Sequence, residues 1–310
     1  MRMVFMGTPE FAAKSLELLH ASRHEIVAVV TAVDKPRGRG RKISPSAVKQ
    51  TADDLNLPVL QPANLKQPEF ITKLKSFEPD INVVVAFRIL PEAVYNLPRL
   101  GSINLHASLL PKYRGAAPIN WALINGETKT GVTTFRLDKK VDTGEILFQR
   151  EVEIAPEDNF GSLHDKLMVR GAELLLETLD ALDHGRLEPS RQNDSEASPA
   201  PKLTSRTGLI NWQEPAVKLN NLIRGLAPYP GAYSFWEQKK IIILKAAVIG
   251  SDRVEKPGTI TKSSSNEGIT IACGHNSLFI ESLKPQGKKV ISSAEFVRGY
   301  HVKAGNKFDS

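Results

Sequence analysis

One cysteine in 310 residues, 6% aromatic content and no apolar run near the ~18–20 residues that span a bilayer are the first facts of this chain. A lone Cys273 excludes an intrachain disulfide, and no cluster of Cys and His has metal-ligand spacing, so no metal is expected. The opening MRMVFMGTPEF has too short an apolar stretch for a secretory signal and reads as a first strand. A reduced, cytoplasmic setting without membrane contact is the expectation. Gly7-Thr8-Pro9-Glu10 is not a GxGxxG, and GxxxxGK[ST] occurs nowhere. Nucleotide binding of the dehydrogenase or ATPase kind loses its main support.

What is present describes a folded chain, with 41% hydrophobic and 24% charged residues. The length suggests about two domains. The net charge of +7 is unevenly placed. Residues 1–189 hold 24 Lys+Arg against 24 Asp+Glu, whereas residues 190–310 hold 17 against 10. The whole excess sits in the last 121 residues, an asymmetry that hints at a nucleic acid or another anionic partner. Within the neutral part, Lys35-Pro36-Arg37-Gly38-Arg39-Gly40-Arg41-Lys42 carries five positive charges in eight residues and no acid. Pro36 and the glycines argue against a helix or central strand, so a basic loop suited to phosphates is expected, with Lys35, Arg37, Arg39, Arg41 and Lys42 as the contacts.

Apolar runs at 3–6, 26–30 and 81–86, separated by helical spacing at 11–19, 47–55 and 69–77, predict a doubly wound, mostly parallel α/β sheet covered on both faces. Further strands are expected at 103–106, 131–137 and 146–154, then a helix from about Ser162 to Leu182. The polar, Ser- and Pro-containing stretch from Ser190 to Thr207 has linker composition. Beyond it, a helix near 216–227 and short strands at 232–236, 241–249, 258–261, 268–273 and 277–283 suggest a small barrel. The expected domains are 1–189, a linker at 190–207, and 208–310.

The densest polar chemistry falls where the sheet should end. Asn104 and His106 lie on one face of a strand because alternate side chains share a face. Ser108-Leu109-Leu110-Pro111 then leaves as a loop, and Asp142 follows a later strand in a turn. His moves protons near neutral pH, an Asn amide donates to a developing oxyanion, and an Asp orients the imidazole. The set suits attack on a carbonyl by an amine or water; an Asn/His pair that only caps a turn is the bland alternative. The remaining histidines (20, 24, 164, 184, 275 and 301), Cys273 and the three tryptophans take structural readings.

Asn104-x-His106, then Ser108-Leu109-Leu110-Pro111-x-Tyr113-Arg114-Gly115, then Asp142-Thr143-Gly144 resembles the signature of the folate-dependent formyltransferases. For the branch acting on tRNA, the resemblance extends to Gly7–Phe11, Asp34–Gly40, Ala200–Leu203 and Pro228–Ala232. It implies a Rossmann-like catalytic domain and an OB-like C-terminal barrel. It also implies formyl transfer from 10-formyltetrahydrofolate to the α-amino group of methionine on initiator tRNA. By motif, Asn104 holds the formyl oxygen, His106 moves protons, and Asp142 positions His106 and a water. Ser108, Leu109, Leu110 and Pro111 line the folate site, and Arg88, Ile89 and Leu90 offer backbone groups to the pterin. Relatives commonly carry Tyr-Gly and one more residue before Ile-Leu-Pro, where this chain has Phe87-Arg88. Arg39 sits at the matching arginine of the tRNA-contacting insertion. Two alternatives stay open: the same chemistry on a small amine (an amino-sugar nucleotide or glycinamide ribonucleotide), and a non-catalytic RNA-binding protein. A monomer is expected.

Overall fold

The computed structural model of the chain describes residues 1–37, 42–250 and 255–309. It separates into two compact units, one of residues 1–115, 129–153 and 164–200, the other of residues 116–128, 154–163 and 201–310. The strands before residue 201 are β1 (Arg2–Gly7), β2 (Glu25–Val30), β3 (Lys35–Arg37), β4 (Lys42–Ser44), β5 (Val59–Leu60), β6 (Ile81–Val85), β7 (Ser102–His106), β8 (Arg114–Gly115), β9 (Lys129–Arg136), β10 (Ile146–Glu153) and β11 (Pro199–Ala200). The helices are α1 (Glu10–His20), α2 (Ala47–Asp54), α3 (Pro68–Lys75), α4 (Glu92–Tyr95), α5 (Pro118–Ile124) and α6 (Phe160–Asp183).

Seven strands form one sheet in the order β10-β9-β7-β6-β1-β2-β5. From β7 to β5 every neighbour is parallel, whereas β9 runs against β7 and β10 against β9. This is the mostly parallel, doubly wound sheet expected from the apolar runs. All five residues of β6 are buried, as a strand covered on both faces requires. At the edge, β10 buries only Leu147 and then alternates half-buried with exposed positions from Phe148 to Glu153, as a strand with one partly covered face does. The chain winds outward from β1 through β2 and β5, then returns on the other side at β6. That reversal opens a crevice at the carboxyl ends of β1 and β6, next to the end of β7.

The basic segment differs from the expected loop: β3 and β4 pair as an antiparallel ribbon, with Lys35 opposite Ser44 and Pro36 opposite Ile43. Pro36 is tolerated because each strand of an isolated ribbon has an unpaired side, where a missing N–H breaks no ladder bond. Arg39 and Arg41 lie outside the described residues.

In the other unit, α7 (Ala216–Leu226) precedes an antiparallel sheet, and α8 (Ser293–Tyr300) follows it. Its strands are β12 (Ala232–Trp236), β13 (Lys239–Ile249), β14 (Ile260–Ser264), β15 (Gly268–Ala272), β16 (Ser277–Pro285) and β17 (Ile291–Ser292). Their order is β12-β13-β16-β15-β14, with β17 on β16. The chain end bridges the gap between β12 and β14: Phe235 and Asp309 exchange backbone bonds at 3.1 and 3.0 Å, and Ile260 N–H reaches Asn306 O at 2.8 Å. Strand β14 starts two residues later than the sequence suggests. Gly258 has φ +88°, and a Cβ there would lie 2.6 Å from Phe308 O, so the position serves a turn. Trp212, Trp236, Phe296 and Phe308 fill the core. Among the described residues, no helix is long and apolar enough to cross a membrane.

Candidate functional site

Strand β7 carries Asn104 and His106 to the carboxyl edge of the sheet, and three further segments then converge on His106. The first is its own continuation. Thr133 on β9 donates Oγ1–H to Ser108 O at 2.7 Å and accepts Leu110 N–H at 3.1 Å. Gln149 on β10 donates to Leu110 O at 2.8 Å. Ser108 is buried and spends its hydroxyl on Lys112 O at 2.7 Å. Ser108 thus braces the loop from within, while Leu109 packs against Gly131, where a Cβ would fall 2.5 Å from it. Leu110 is buried, and Leu109 and Pro111 are partly exposed.

The loop then turns back so that His106 Nε2 lies 2.8 Å from Tyr113 O. A carbonyl can only accept, so Nε2 carries a proton, and in the neutral imidazole Nδ1 is the nitrogen left with a lone pair. Tyr113 is held in turn by Ser198, whose Oγ accepts Tyr113 N–H at 2.9 Å and whose carbonyl accepts Arg114 N–H at 2.9 Å. Parallel pairing of β8 with β11 continues that attachment.

The second segment is the β9–β10 connection. Asp138 organises it by accepting from Lys140 N–H and Thr143 Oγ1–H, each at 2.9 Å. Asp142 takes a left-handed φ of +56°. Its Oδ2 accepts Gly115 N–H at 2.8 Å and lies 3.8 Å from His106 Nδ1. Both side chains are largely buried, at 12% and 7% exposure, so their mutual electrostatics are little screened by solvent. The third segment, around Gln192, bonds to both of these loops.

Asn104, partly buried on the same strand face, has no side-chain partner among the described residues. Its amide is free to donate to a ligand oxygen. The set can therefore offer one donor (Asn104) and two adjacent acceptors (His106 Nδ1 and Asp142 Oδ2) to a reacting carbonyl and amine.

Of the segment expected near the pterin, Ile89 is 79% exposed and Leu90 is buried. Arg88 points its guanidinium at a neighbouring loop, donating to Ala63 O at 3.0 Å and Pro62 O at 2.6 Å. Burial pushes that guanidinium below its ordinary pKa. The side chain thus clamps the 86–90 loop. Of the five basic-segment residues, Lys35 is exposed.

Sequence reasoning missed Asp138, Thr133, Gln149, Gln192 and Ser198. Only Asp138 left a local signal, as an Asp two residues before the N–H it caps. Elsewhere, Trp212, Trp236 and Cys273 occupy the buried places their structural readings expect. Trp121 donates to Pro201 O at 2.7 Å, and burial pushes the Cys273 thiol up to about 12, leaving it inert. Among the described residues, no group of three or more His, Cys, Asp and Glu could hold a metal ion.

Comparison with known proteins adds an independent line. Residues 1–179 match the formyl transferase family, and residues 202–301 match the formyl transferase C-terminal domain. The chain is 47% identical to a methionyl-tRNA formyltransferase of Caldanaerobacter subterraneus over 98% of its own length and 99% of that protein's. It is 44% identical to one of Geobacter sulfurreducens, covering 99% of this chain and 96% of that one. Among solved structures, the sugar 3N-formyl transferase WlaRD shares the fold at a TM-score of 0.68 with 17% identity, over 93% of this chain and 99% of that one.

Proposed function

This chain belongs to the formyl transferase family, with methionyl-tRNA formyltransferases as near-full-length relatives, and we propose that it formylates the α-amino group of methionine on initiator methionyl-tRNA. The formyl donor is 10-formyltetrahydrofolate, and no metal takes part in the proposed reaction. The observation that carries the reading is the arrangement of Asn104, His106 and Asp142, with His106 tied through Nε2 and 3.8 Å from the carboxylate through Nδ1. The unpartnered Asn104 amide beside them fits a formyl oxygen. When bound at this edge, the folate supplies the formyl carbon: the amine nitrogen bonds to it, its bond to N10 breaks, and the proton lost by the amine is balanced by one gained at N10.

The residues divide the work. Asn104 donates its amide N–H to the formyl oxygen as negative charge develops there. His106 Nδ1 and Asp142 Oδ2 accept protons from the amine, directly or through a water that Asp142 positions. Tyr113 O keeps the imidazole in the tautomer that leaves Nδ1 free. Ser108–Pro111 and Arg88–Leu90 border the folate, with Ile89 the most open of these. Residues 1–189 form the catalytic domain, 190–207 the connection, and 208–310 the OB-like domain that gives tRNA a basic face. Lys35, Arg37, Arg39, Arg41 and Lys42 contact phosphates. The protein works in the cytoplasm as a monomer.

Mass analysis of methionyl-tRNA and of free amines after incubation with 10-formyltetrahydrofolate tests this. Formyl-methionyl-tRNA is the expected product; formylation of a free amine alone supports the small-molecule alternative and rejects the reading.

A further inference from the structure

Gln192 lies in a stretch of linker composition, yet its side chain joins the two loops that hold His106. Its Nε2 donates to Asp142 O at 3.0 Å and to Gly144 O at 2.7 Å. Its Oε1 accepts from Arg114 Nε at 3.1 Å and Nη2 at 2.7 Å. Both N–H groups and both lone pairs of the amide are engaged. The orientation is unambiguous, because a guanidinium only donates and a carbonyl only accepts. Arg114 itself is anchored further by Asp194 at 2.8 Å.

The joined loops are the ones that matter to the imidazole. One carries Tyr113 O, which receives His106 Nε2–H, and the other carries the carboxylate 3.8 Å from Nδ1. Gly115 N–H also links them, but on Asp142 Oδ2 itself. Gln192 instead grips the turn by its backbone and so fixes Asp142 without drawing on its charge.

Resting on the formyl-transfer reading, we propose that Gln192 is a positioning residue whose amide sets the His106–Asp142 spacing and holds His106 in its Nε2–H tautomer. Two variants separate this from a general structural role. Gln192→Glu keeps the shape and the Arg114 pairing but sets a carboxylate oxygen against two carbonyls. Gln192→Ala removes both contacts. Loosening a reacting group by about 1 Å costs up to roughly 10²-fold, so kcat should fall about 10–100-fold in both variants, with KM for either substrate changed by less than about threefold.

The decisive readout is the pair of imidazole ¹⁵N resonances of His106 in the full-length protein. The parent should show one Nε2–H tautomer and the variants a mixture. If one variant fails to fold, the other decides. An active parent whose variants keep kcat within about threefold, or lose kcat with the tautomer signals unchanged, overturns the positioning role alone. An inactive parent overturns the formyl-transfer reading, and its tautomer signals, which need no turnover, still decide what Gln192 does.

Discussion

Replacing Gly144 with alanine should cripple the reaction while leaving the fold in place. An ideal Cβ at Gly144 falls 1.7 Å from Arg136 O and 2.8 Å from its carbonyl carbon. These are backbone atoms of β9, a strand paired on one side to β7 and on the other to β10, so they cannot swing aside. Taking the contact from 1.7 to 3.0 Å, the shortest that real Cβ atoms accept, makes the 142–144 turn retreat by about 1.3 Å. That turn bears Asp142 and the Gly144 carbonyl gripped by Gln192. A shift of this size in a reacting group costs about 10²-fold in rate, whereas overpacking strain costs roughly 1–3 kcal/mol of stability. Steady-state formylation of methionyl-tRNA with the Gly144→Ala protein should show kcat down about 10²-fold and KM little changed, with a native circular dichroism spectrum. Parental kcat in a folded Gly144→Ala protein would refute the claim that this turn must hold Asp142 to within an ångström.

Three further outcomes are expected. His106→Ala lowers the rate by roughly 10²–10⁴-fold with little loss of tRNA affinity by filter binding; unchanged formylation removes the proton-transfer role. Arg39→Ala weakens productive use of tRNA and reduces the slope of log affinity against log salt by about one, and an identical slope in the parent counts against phosphate contact by that segment. His24 is held below its ordinary pKa of 6.5 chiefly by burial, then by the N-terminal ammonium, against the opposing pull of Asp180. The folded protein therefore keeps His24 neutral while the unfolded chain takes up the proton below about pH 6.5. This contribution to stability is complete above that pH and is lost as pH falls through the window beneath it. Melting temperatures should fall as pH drops below about 6.5, and His24→Gln should flatten that slope; equal slopes would exclude His24 as the source.

Much of the fold was legible because its signals are local. A run such as Ile81–Val85, short, rich in β-branched residues and preceded by turn residues, marks a strand covered on both faces, and it is buried throughout. Half of the site was legible for the same reason: the spacing of Asn104 and His106 puts them on one strand face. The ribbon at β3 and β4 was not, because three-residue strands flanked by Pro and Gly look like a loop to any periodicity argument. The start of β14 was also missed, since the limit at Gly258 is set by Phe308, fifty residues away in the chain.

The sequence by itself determined the order of most of the longer strands and helices, the placement of the Asn and His, the separation of a neutral half from a basic one, and a motif set specific enough to name a chemistry. Only the tertiary structure decided how the imidazole is held. Its nearer fixed contact, Tyr113 O, depends on Ser198, 85 residues from Tyr113, and its carboxylate is braced by a glutamine 50 residues from Asp142. Hydrogen bonds over such separations leave no period or spacing in a chain. They exist only once the sheet has brought the ends of β7 and β9 and the 190–200 segment together, and there a linker-like glutamine becomes part of the site.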